Sequence, residues 1–259
     1  METLADLIAR ERRSDAPACR EDSDPPHEFD YRRFCTTVWK VGNVLRHHGV
    51  RNGADVAIAP AGETTAGTGR RAKAVLSMLG ATLVGARVRV IGGTGGSAPE
   101  TTGDADDRPA VRALIAPTDA IDAMAVDAAV EIGYGDEPSR PGVVYWEGTV
   151  WSENPAHVPV TFDGGTAALV SRTTGRTWTH ADLLAAGAAV VDELDLTAAD
   201  AVAIRAPLSH PGTIAGGVVA PLVTGGSIRF PNGETGGDAA VVAGKTTPEG
   251  RCIAADAVL

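Results

Sequence analysis

Apolar residues recur at helical spacing in two separate segments of the chain, and each segment leads into a short apolar run. In the first segment, apolar side chains lie three and four residues apart between Tyr31 and Leu45. Asp30 is a suitable N-cap, and Gly49 supplies the stop. A turn after Gly49 then leads into a buried strand. The sequence therefore predicts a helix, a turn and a strand over residues 29–60.

The same order of elements returns in the second half of the chain. Thr179 is a candidate N-cap, and Asp182 completes a capping-box pattern ahead of the apolar helical face. The run that begins at Asp200 parallels the run that begins at Asp55. Residues 177–207 therefore repeat the pattern of the first segment, which indicates two similar α/β units. The alternative is a chance similarity between ordinary α/β elements.

The spacing of apolar residues in the other segments predicts the further elements of a mainly parallel α/β fold. It predicts, in chain order, an amphipathic N-terminal helix, a helix at 71–83, a strand at 88–91, a loop at 92–109, a strand at 113–116 with a short helix after it, and an irregular tail at 231–251. We therefore expect an α/β fold with largely parallel sheets flanked by helices. Two similar subdomains, 1–132 and 166–259, are joined by a connector at 133–165.

Charge and composition exclude several classes of function. The formal net charge is −10, which argues against a general nucleic-acid surface or an anionic membrane as partner. There is no apolar run long enough for a transmembrane helix, and the N-terminal residues carry acids, unlike a secretory signal. A cytoplasmic location is therefore expected. The three cysteines have no zinc or disulfide spacing, and Cys35 is interpreted as a small core residue.

The balance of charged residue types adds an expectation about the environment. Of 23 cationic residues only Lys40, Lys73 and Lys245 are lysines, and aspartate outnumbers glutamate. A carboxylate-rich, lysine-poor surface is typical of proteins from high salt, such as those of haloarchaea, where charge repulsion is screened. A genome rich in G and C, which favours Ala, Arg, Gly and Asp, is the alternative explanation.

Several short motifs occur in an order that resembles the N-terminal part of the AMP-forming acyl-CoA synthetases, the adenylate-forming ligases. The motifs are Gly49-Val50 with Gly53 to Ile58, Leu79-Gly80-Ala81 with Val84-Gly85-Ala86, Pro207-Leu208-Ser209-His210, and Ala220-Pro221-Leu222 with Gly225-Gly226. In that family the large N-terminal domain contains two similar α/β subdomains. The resemblance implies a truncated form of that domain, and an ancestral reaction in which ATP and a carboxylate give an acyl-adenylate before a thiol displaces AMP.

The family's phosphate loop, close to S-G-T-T-G-x-P-K-G, has an imperfect counterpart here. The resemblance implies cofactor-binding roles for Ser171, Thr173, Thr174, Gly175 and Arg176, with ATP or AMP and Mg²⁺ as the cofactor. Arg172 stands where the flexible glycine belongs, and the Pro-Lys-Gly stretch is missing. An arginine of this loop remains able to contact a phosphate. The alternative interpretation is a plain hairpin turn, Thr174-Gly175-Arg176, between a strand and the next helix.

The other candidate residues do not identify a catalytic or metal-binding site. His210 resembles the family's loop histidine that lines the acyl pocket, although a lone histidine is more often structural. Gly92 to Gly96 follow a strand, but no helix follows them, so a flexible loop is expected. His180 and Asp182 share a helical turn without an identifiable third partner. Catalytic residues are therefore not assigned, and no metal site is expected.

The resemblance and its gaps together define the expected function. The family's adenine- and ribose-binding segments and its catalytic lysine have no counterpart after Phe230. We therefore expect a degenerate ligase-like protein that binds a nucleotide or acyl ligand without full adenylation activity. A full-length ligase or a second copy of the chain is the expected partner. The alternatives are an active ligase subunit completed by a partner chain, and a non-enzymatic α/β scaffold.

Overall fold

The helices of the protein are distributed along its whole length. The computed structural model describes residues 1–23, 25–61, 69–91, 110–171, 174–233, 236–244 and 247–259. The α-helices are α1 (Tyr31–His47), α2 (Arg70–Leu83), α3 (Trp146–Ser152), α4 (His180–Leu194), α5 (Pro211–Ile214), α6 (Ala220–Thr224) and α7 (Ala255–Val258). A π-helical segment, Ala215–Val219, joins α5 to α6, and 3-10 turns occupy Leu4–Ile8, Arg10–Arg12 and Ile121–Ala123.

The strands are short and pair into two large sheets and one small one. In chain order they are β1 (Pro17–Glu21), β2 (His27–Asp30), β3 (Asp55–Ile58), β4 (Arg87–Val90), β5 (Ala110–Val111), β6 (Ala113–Pro117), β7 (Asp127–Ala128), β8 (Glu131–Tyr134), β9 (Val143–Tyr145), β10 (Ala167–Val170), β11 (Thr177–Thr179), β12 (Ala201–Arg205), β13 (Ser227–Phe230), β14 (Ala239–Val242) and β15 (Arg251–Ala254). The first large sheet has the order β11-β10-β4-β3-β6-β8-β9, the second has β15-β14-β12-β13-β1-β2, and β5 pairs with β7.

The predicted α/β class with largely parallel sheets is confirmed. In each large sheet all neighbouring strands run parallel except one hairpin pair, β10–β11 in the first and β1–β2 in the second. Parallel neighbours need crossover connections, and α2 supplies one between β3 and β4, as the α5–α6 helix does between β12 and β13. Helices α1 and α4 each lead from a hairpin in one large sheet to a strand of the other. The two halves therefore repeat one arrangement.

The two units exchange their leading hairpins. The β1–β2 hairpin precedes α1 of the first unit, but β1 pairs with β13 in the second sheet. The β10–β11 hairpin precedes α4 of the second unit, but β10 pairs with β4 in the first sheet. Each unit therefore completes the sheet of the other. The predicted subdomain boundaries at residues 132 and 165 stay a prediction. Each large sheet contains strands from both predicted subdomains.

The two predicted helix starts are confirmed in detail. The Asp30 carboxylate accepts from the Arg33 N–H at 2.6 Å at the start of α1. At the start of α4, the Thr179 N–H donates to Asp182 at 2.8 Å and the Asp182 N–H donates to Thr179 Oγ1 at 3.1 Å. These bonds satisfy amide groups that a helix leaves unpaired at its N-terminus. The local sequence alone therefore determines where both helices begin.

Glycines allow the helices of each unit to approach closely. A Cβ at Gly80 of α2 would lie 2.5 Å from Val41 Cγ1 of α1, and one at Gly187 of α4 would lie 2.7 Å from Val219 Cγ1. The second unit differs in its π-helical segment. Pro221 has no N–H with which to bond the carbonyl one turn earlier, so the helix widens just before it.

One continuous apolar core spans both units. Its largest fully buried side chains include Trp39, Trp146, Tyr134 and Phe230, which come from both sheets and from α1 and α3. Cys35 is also fully buried, as predicted, and all three cysteines are free thiols. Among the described residues, no helix combines the length and the apolar character that crossing a bilayer would require.

Several regular elements were not predicted. Residues 133–165, expected to be an irregular connector, contain β9 and α3, and the tail after Phe230 contains β14, β15 and α7. The N-terminal segment forms 3-10 turns rather than one α-helix. These elements are three to seven residues long, so their periodicity is too short to recognise. The strands among them are held by pairing, β9 with β8, and β14 with β12 and β15. The predicted loop at 92–109 lies outside the described residues.

Candidate functional site

The segment predicted to bind phosphate forms the turn of the β10–β11 hairpin. The Ser171 N–H donates to the Arg176 carbonyl at 2.8 Å and closes the hairpin. Gly175 adopts φ +68°, a left-handed conformation that favours glycine. The strand β11 leads directly into α4, so the described residues have the hairpin arrangement of the alternative interpretation, and the phosphate-binding role of this segment stays a prediction. Arg172 and Thr173 lie outside the described residues.

The described amide groups of this turn donate within the turn. The Gly175 N–H donates to the Ser171 carbonyl at 3.0 Å, and the Thr174 N–H donates to Ser171 Oγ at 3.3 Å. The Arg176 N–H donates to Thr174 Oγ1 at 3.3 Å. A phosphate-binding loop needs backbone N–H groups that point at the ligand. The Arg176 guanidinium lies over the Trp178 ring at 5.0 Å, where a cation–π contact holds it beside the hairpin.

His210, the predicted substrate-binding residue, caps a helix. Its Nδ1 accepts from the Gly212 N–H at 3.1 Å, as the N-cap of α5. Its Nε2 lies 2.8 Å from Asp256 Oδ1, at the start of α7. The side chain is one-third exposed and is engaged at both ring nitrogens. The structure therefore gives His210 a capping role.

The first unit repeats this contact with different residues. Arg70 begins α2 as His210 precedes α5, and its Nη2 lies 3.0 Å from Asp136 Oδ2. Asp136 follows the end of β8 by two residues, just as Asp256 follows the end of β15 by two. In each unit a nitrogen-bearing side chain at the start of the second helix, Arg70 or His210, therefore contacts an aspartate that follows the unit's fourth strand. This repetition favours a structural role for His210.

A charged cluster that sequence reasoning missed lies at the carboxyl ends of β12 and β14. The Arg205 guanidinium holds the Glu249 carboxylate with Nε–Oε2 and Nη2–Oε1 distances of 2.8 Å. Glu249 also accepts from the Gly237 N–H at 3.1 Å and from the Thr247 hydroxyl. Burial by itself raises the pKa of Glu249, but these hydrogen bonds outweigh it and lower the pKa to about 2. Because 44 residues separate the pair, no local pattern identifies it.

A second missed cluster surrounds the first turn of α2. This turn carries Arg70, Arg71 and Lys73 and no acid. The buried Glu21 carboxylate, at the end of β1, accepts from the Arg71 and Ala72 N–H groups at 3.0 Å each. Carboxylates of neighbouring loops and of α3 pair with the other cations, including Lys73 Nζ with Glu147 Oε1 at 2.6 Å. The carboxylates of the chain itself therefore occupy this helix N-terminus.

Among the described residues, His180 and Asp182 do not form a catalytic pair. His180 is fully buried, its Nδ1 accepts from the Leu4 N–H at 3.2 Å, and its ring stacks on Phe162. Asp182 is committed to the capping box, so the two do not act on a common partner. Within the part of the chain that the structure describes, no group of three His, Cys, Asp or Glu side chains is placed to hold a metal ion.

Comparison with known proteins identifies the fold. No protein-family model and no curated protein matches the sequence. The anthranilate CoA ligase AuaEII, solved with anthranoyl-AMP, matches 90% of this chain and 45% of its own chain, with TM-score 0.69 and 18% identity. The N-terminal domain of FACL13 from Mycobacterium tuberculosis matches over 90% and 58%, with TM-score 0.68 and 18% identity. MatB from Rhodopseudomonas palustris matches over 89% and 45%, with TM-score 0.65 and 16% identity.

Two conclusions follow from these matches. The chain spans about half the length of the solved chains that it matches. At this level of identity the similarity shows the fold alone, because one fold hosts many functions. The molecule has the α/β fold of the N-terminal domain of acyl-CoA synthetases, including two similar units.

Proposed function

We propose that this chain is a relative of the adenylate-forming ligases that binds a nucleotide or acyl ligand without completing adenylation by itself. The fold supports ligand binding, since a solved protein of the same fold, AuaEII, holds anthranoyl-AMP. In open parallel sheets, ligands bind at the carboxyl ends of the strands. The β10–β11 turn, the loop that carries His210 and the N-terminus of α2 all follow such strand ends.

The β10–β11 turn is the observation that limits the proposed activity. Transfer of an adenylyl group needs donors that hold the triphosphate and stabilise its developing charge. The amides of Thr174 to Arg176 donate within the turn. Lys40 donates to the Trp151 carbonyl and Lys73 pairs with Glu147, so neither supplies a phosphate-binding lysine at the hairpin. Lys245 lies outside the described residues.

Thermal-shift and turnover measurements on the same preparation test this proposal. ATP with Mg²⁺, AMP, CoA and a panel of short carboxylic acids are added in high salt, and pyrophosphate release is recorded. We expect AMP or an acid to raise the melting temperature in a concentration-dependent way, because a ligand of the folded state stabilises it by mass action. We expect no pyrophosphate above the background without protein.

The opposite results would separate the alternatives. Robust pyrophosphate release would show that the short hairpin turn supports adenylation after all. A melting temperature unchanged by every ligand would instead favour a non-enzymatic scaffold. Arg176→Ala serves as a site probe, because it leaves the capping box of α4 intact. A ligand shift that this variant reduces would assign binding to the hairpin.

A second candidate function follows from the length of the chain relative to its solved neighbours. Because it spans about half of each of those chains, we propose as the alternative an active ligase subunit that a partner chain completes. A full-length ligase is the first partner to test. Activity that appears only when this chain and the partner are mixed, and that exceeds the partner's own rate, would support the alternative. Additive rates would contradict it.

The charge of the chain supports a further proposal about its environment. We propose that it works in the cytoplasm of a cell adapted to high salt, since it has a net charge of −10 and only three lysines. Repulsion between carboxylates weakens as the Debye length falls from about 10 Å at 0.1 M salt to about 3 Å at 1 M. We therefore expect the urea midpoint to rise between 0.1 M and 2 M KCl. A midpoint that falls or stays constant would contradict this proposal.

A further inference from the structure

Residues 1–13, which we call the strap, pack across helices of both units. The strap contains two 3-10 turns, Leu4–Ile8 and Arg10–Arg12, and neither turn belongs to a strand. The first turn packs against α1 and α2 of the first unit and against α4 of the second. Its leucine and isoleucine side chains are at most 2% exposed. The strap is therefore a separate piece of chain that covers helices of the two units together.

Three polar contacts fasten the strap at its start, its middle and its end. They join the Leu4 N–H to His180 Nδ1 at 3.2 Å, Trp39 Nε1 to the Ile8 carbonyl at 2.9 Å, and Arg12 Nη2 to the Leu222 carbonyl. Directly after the strap, the carbonyls of Ser14 and Ala16 accept from the first amides of α1 at 2.9 Å. The strap can therefore leave its site while the chain that follows it stays in place.

The contact with His180 depends on the protonation state of its ring. The ring is completely buried and Nδ1 accepts from the Leu4 N–H, so Nδ1 carries the lone pair and Nε2 carries the proton. A second proton would go to Nδ1 and would face the Leu4 N–H. Because Nε2 has no hydrogen-bond partner among the described residues, the imidazolium would have none at either nitrogen. A charge on His180 therefore opposes the docked strap.

The carboxylates of the elements around the ring are engaged in other hydrogen bonds. Asp6 of the strap accepts from two amides at the start of the strap, and Asp182 of α4 belongs to the capping box. In the chain before β10, Asp163 accepts from the Gly165 N–H at 3.0 Å, and the uncharged Phe162 stacks on the ring. Burial therefore outweighs the attraction of Asp6, and the pKa of the ring lies at about 4.

A second histidine lies near the other end of the strap. The His157 ring lies edge-on to the Trp39 ring, with 5.2 Å between the centroids. Burial and the charge of Arg10 lower the pKa of His157, and the charge of Glu11 opposes them. Because His157 is only partly buried, its protonation costs the docked strap less than protonation of His180 does.

We propose that the strap is a pH-sensitive device that detaches as a unit when His180 is protonated, while both large sheets stay folded. Docking is strongest above pH 6.5, the ordinary pKa of a histidine, and weakens about tenfold for each pH unit below it, down to the pKa of the buried ring. Since α4 begins at His180, directly after the β10–β11 hairpin, detachment uncovers the first turn of α4. This inference rests on the contacts of the strap and not on ligand binding by the proposed function.

Amide hydrogen exchange of the full chain between pH 7.5 and pH 4.5, corrected for intrinsic rates, measures the strap directly. We expect protection of amides 4–12 to fall at least tenfold at pH 4.5 while α1 and β6 stay protected. In His180→Gln, the side-chain oxygen accepts from the Leu4 N–H without titrating, so the strap should stay protected at pH 4.5. His157→Gln should keep most of the pH dependence. Loss of protection in α1 and β6 at the same pH as in the strap would mean global unfolding and would overturn the proposal.

Gly164→Ala tests detachment without a change of pH. A Cβ at Gly164 would lie 2.6 Å from the Glu2 carbonyl oxygen, so this variant should expose the amides of the strap at pH 7.5. Gly165→Ala, whose Cβ would meet only the neighbouring Asp163, is the matched control and should leave them protected. Circular dichroism checks the fold of each variant. A strap that stays protected in Gly164→Ala would contradict detachment as a unit.

The wild-type chain supplies a readout that needs no variant. The ¹⁵N chemical shifts of His180 Nδ1 and Nε2 report the uptake of the proton by this ring. We expect the ring to titrate over the same pH range in which amides 4–12 lose protection. A strap that opens over a different range, or that opens with pH equally in His180→Gln and in the wild type, would overturn the proposal.

Discussion

At the scale of single residues, His180 shows how burial determines the behaviour of a polar group. Its ring is fully buried between the N-terminal segment and Phe162, and its Nδ1 accepts from the Leu4 N–H. Burial lowers the pKa of His180 to about 4, and the nearby Asp6 only partly opposes this. The docked N-terminal segment therefore requires the neutral ring.

This pKa shift predicts a specific pH dependence of stability. As pH falls from about 6.5 to 4, the unfolded chain binds a proton at His180 that the folded chain does not, so stability falls by about 1.4 kcal/mol per pH unit. The loss from this group is complete below its folded pKa. The free energy of unfolding of His180→Gln should be less pH-dependent over this window than that of the wild type, and His47→Gln serves as the exposed control. Parallel profiles for wild type and His180→Gln would refute the role of this ring.

Glu21 is a second residue whose role depends on distant parts of the chain. It ends β1, yet its buried carboxylate accepts from the first amides of α2, whose N-cap Gly69 has no side chain to do so. Glu21→Ala removes the acceptor of two amides, one buried and one partly buried, and we expect a loss of about 2 kcal/mol in urea unfolding. Glu28→Gln, at an exposed pair with Arg20, should cost less than about 0.5 kcal/mol. Equal small losses for both variants would contradict the capping role.

At the scale of elements, glycines let the helices of both units cross at short distance. Gly187 lets α4 approach the π-helical segment, and an added methyl group would lie 2.7 Å from Val219 Cγ1. Alanine favours a helix by about 1 kcal/mol over glycine, but the clash outweighs this gain. We therefore expect Gly187→Ala to lower the free energy of unfolding by about 1–3 kcal/mol. The exposed Ala188→Ser should change it by less than about 0.5 kcal/mol. A stabilised Gly187→Ala would show that the crossing relaxes easily.

At the scale of the whole molecule, the exchanged hairpins make the two units interdependent. Removing either unit would strip a hairpin from the sheet of the other, and the apolar core is continuous across both. We therefore expect one cooperative unfolding transition, although the sequence reads as two subdomains. Tryptophan fluorescence reports mainly on the first sheet and its helices, and far-ultraviolet circular dichroism reports on the whole chain. Coincident urea transitions are expected, and two separate midpoints would contradict the interdependence.

The sequence by itself determined the elements whose signals are local. The starts of α1 and α4, the strands after them and the repeated order all follow from caps and apolar spacing within about 30 residues. The turn at Thr174-Gly175-Arg176 could also be predicted, because Gly175 and the missing lysine are visible in the sequence. The resemblance correctly implied the fold, since it depends on the order of such local signals.

Only the tertiary structure decided which distant groups meet. Short strands such as β9 and β15 exist because a neighbouring strand pairs with them, and no local pattern encodes that neighbour. The same holds for Arg205 with Glu249, for Glu21 on α2, and for the hairpins that cross between units. The physical reason is that caps and periodicity are short-range, whereas pairing, burial and ion pairs depend on residues that come together only when the chain folds.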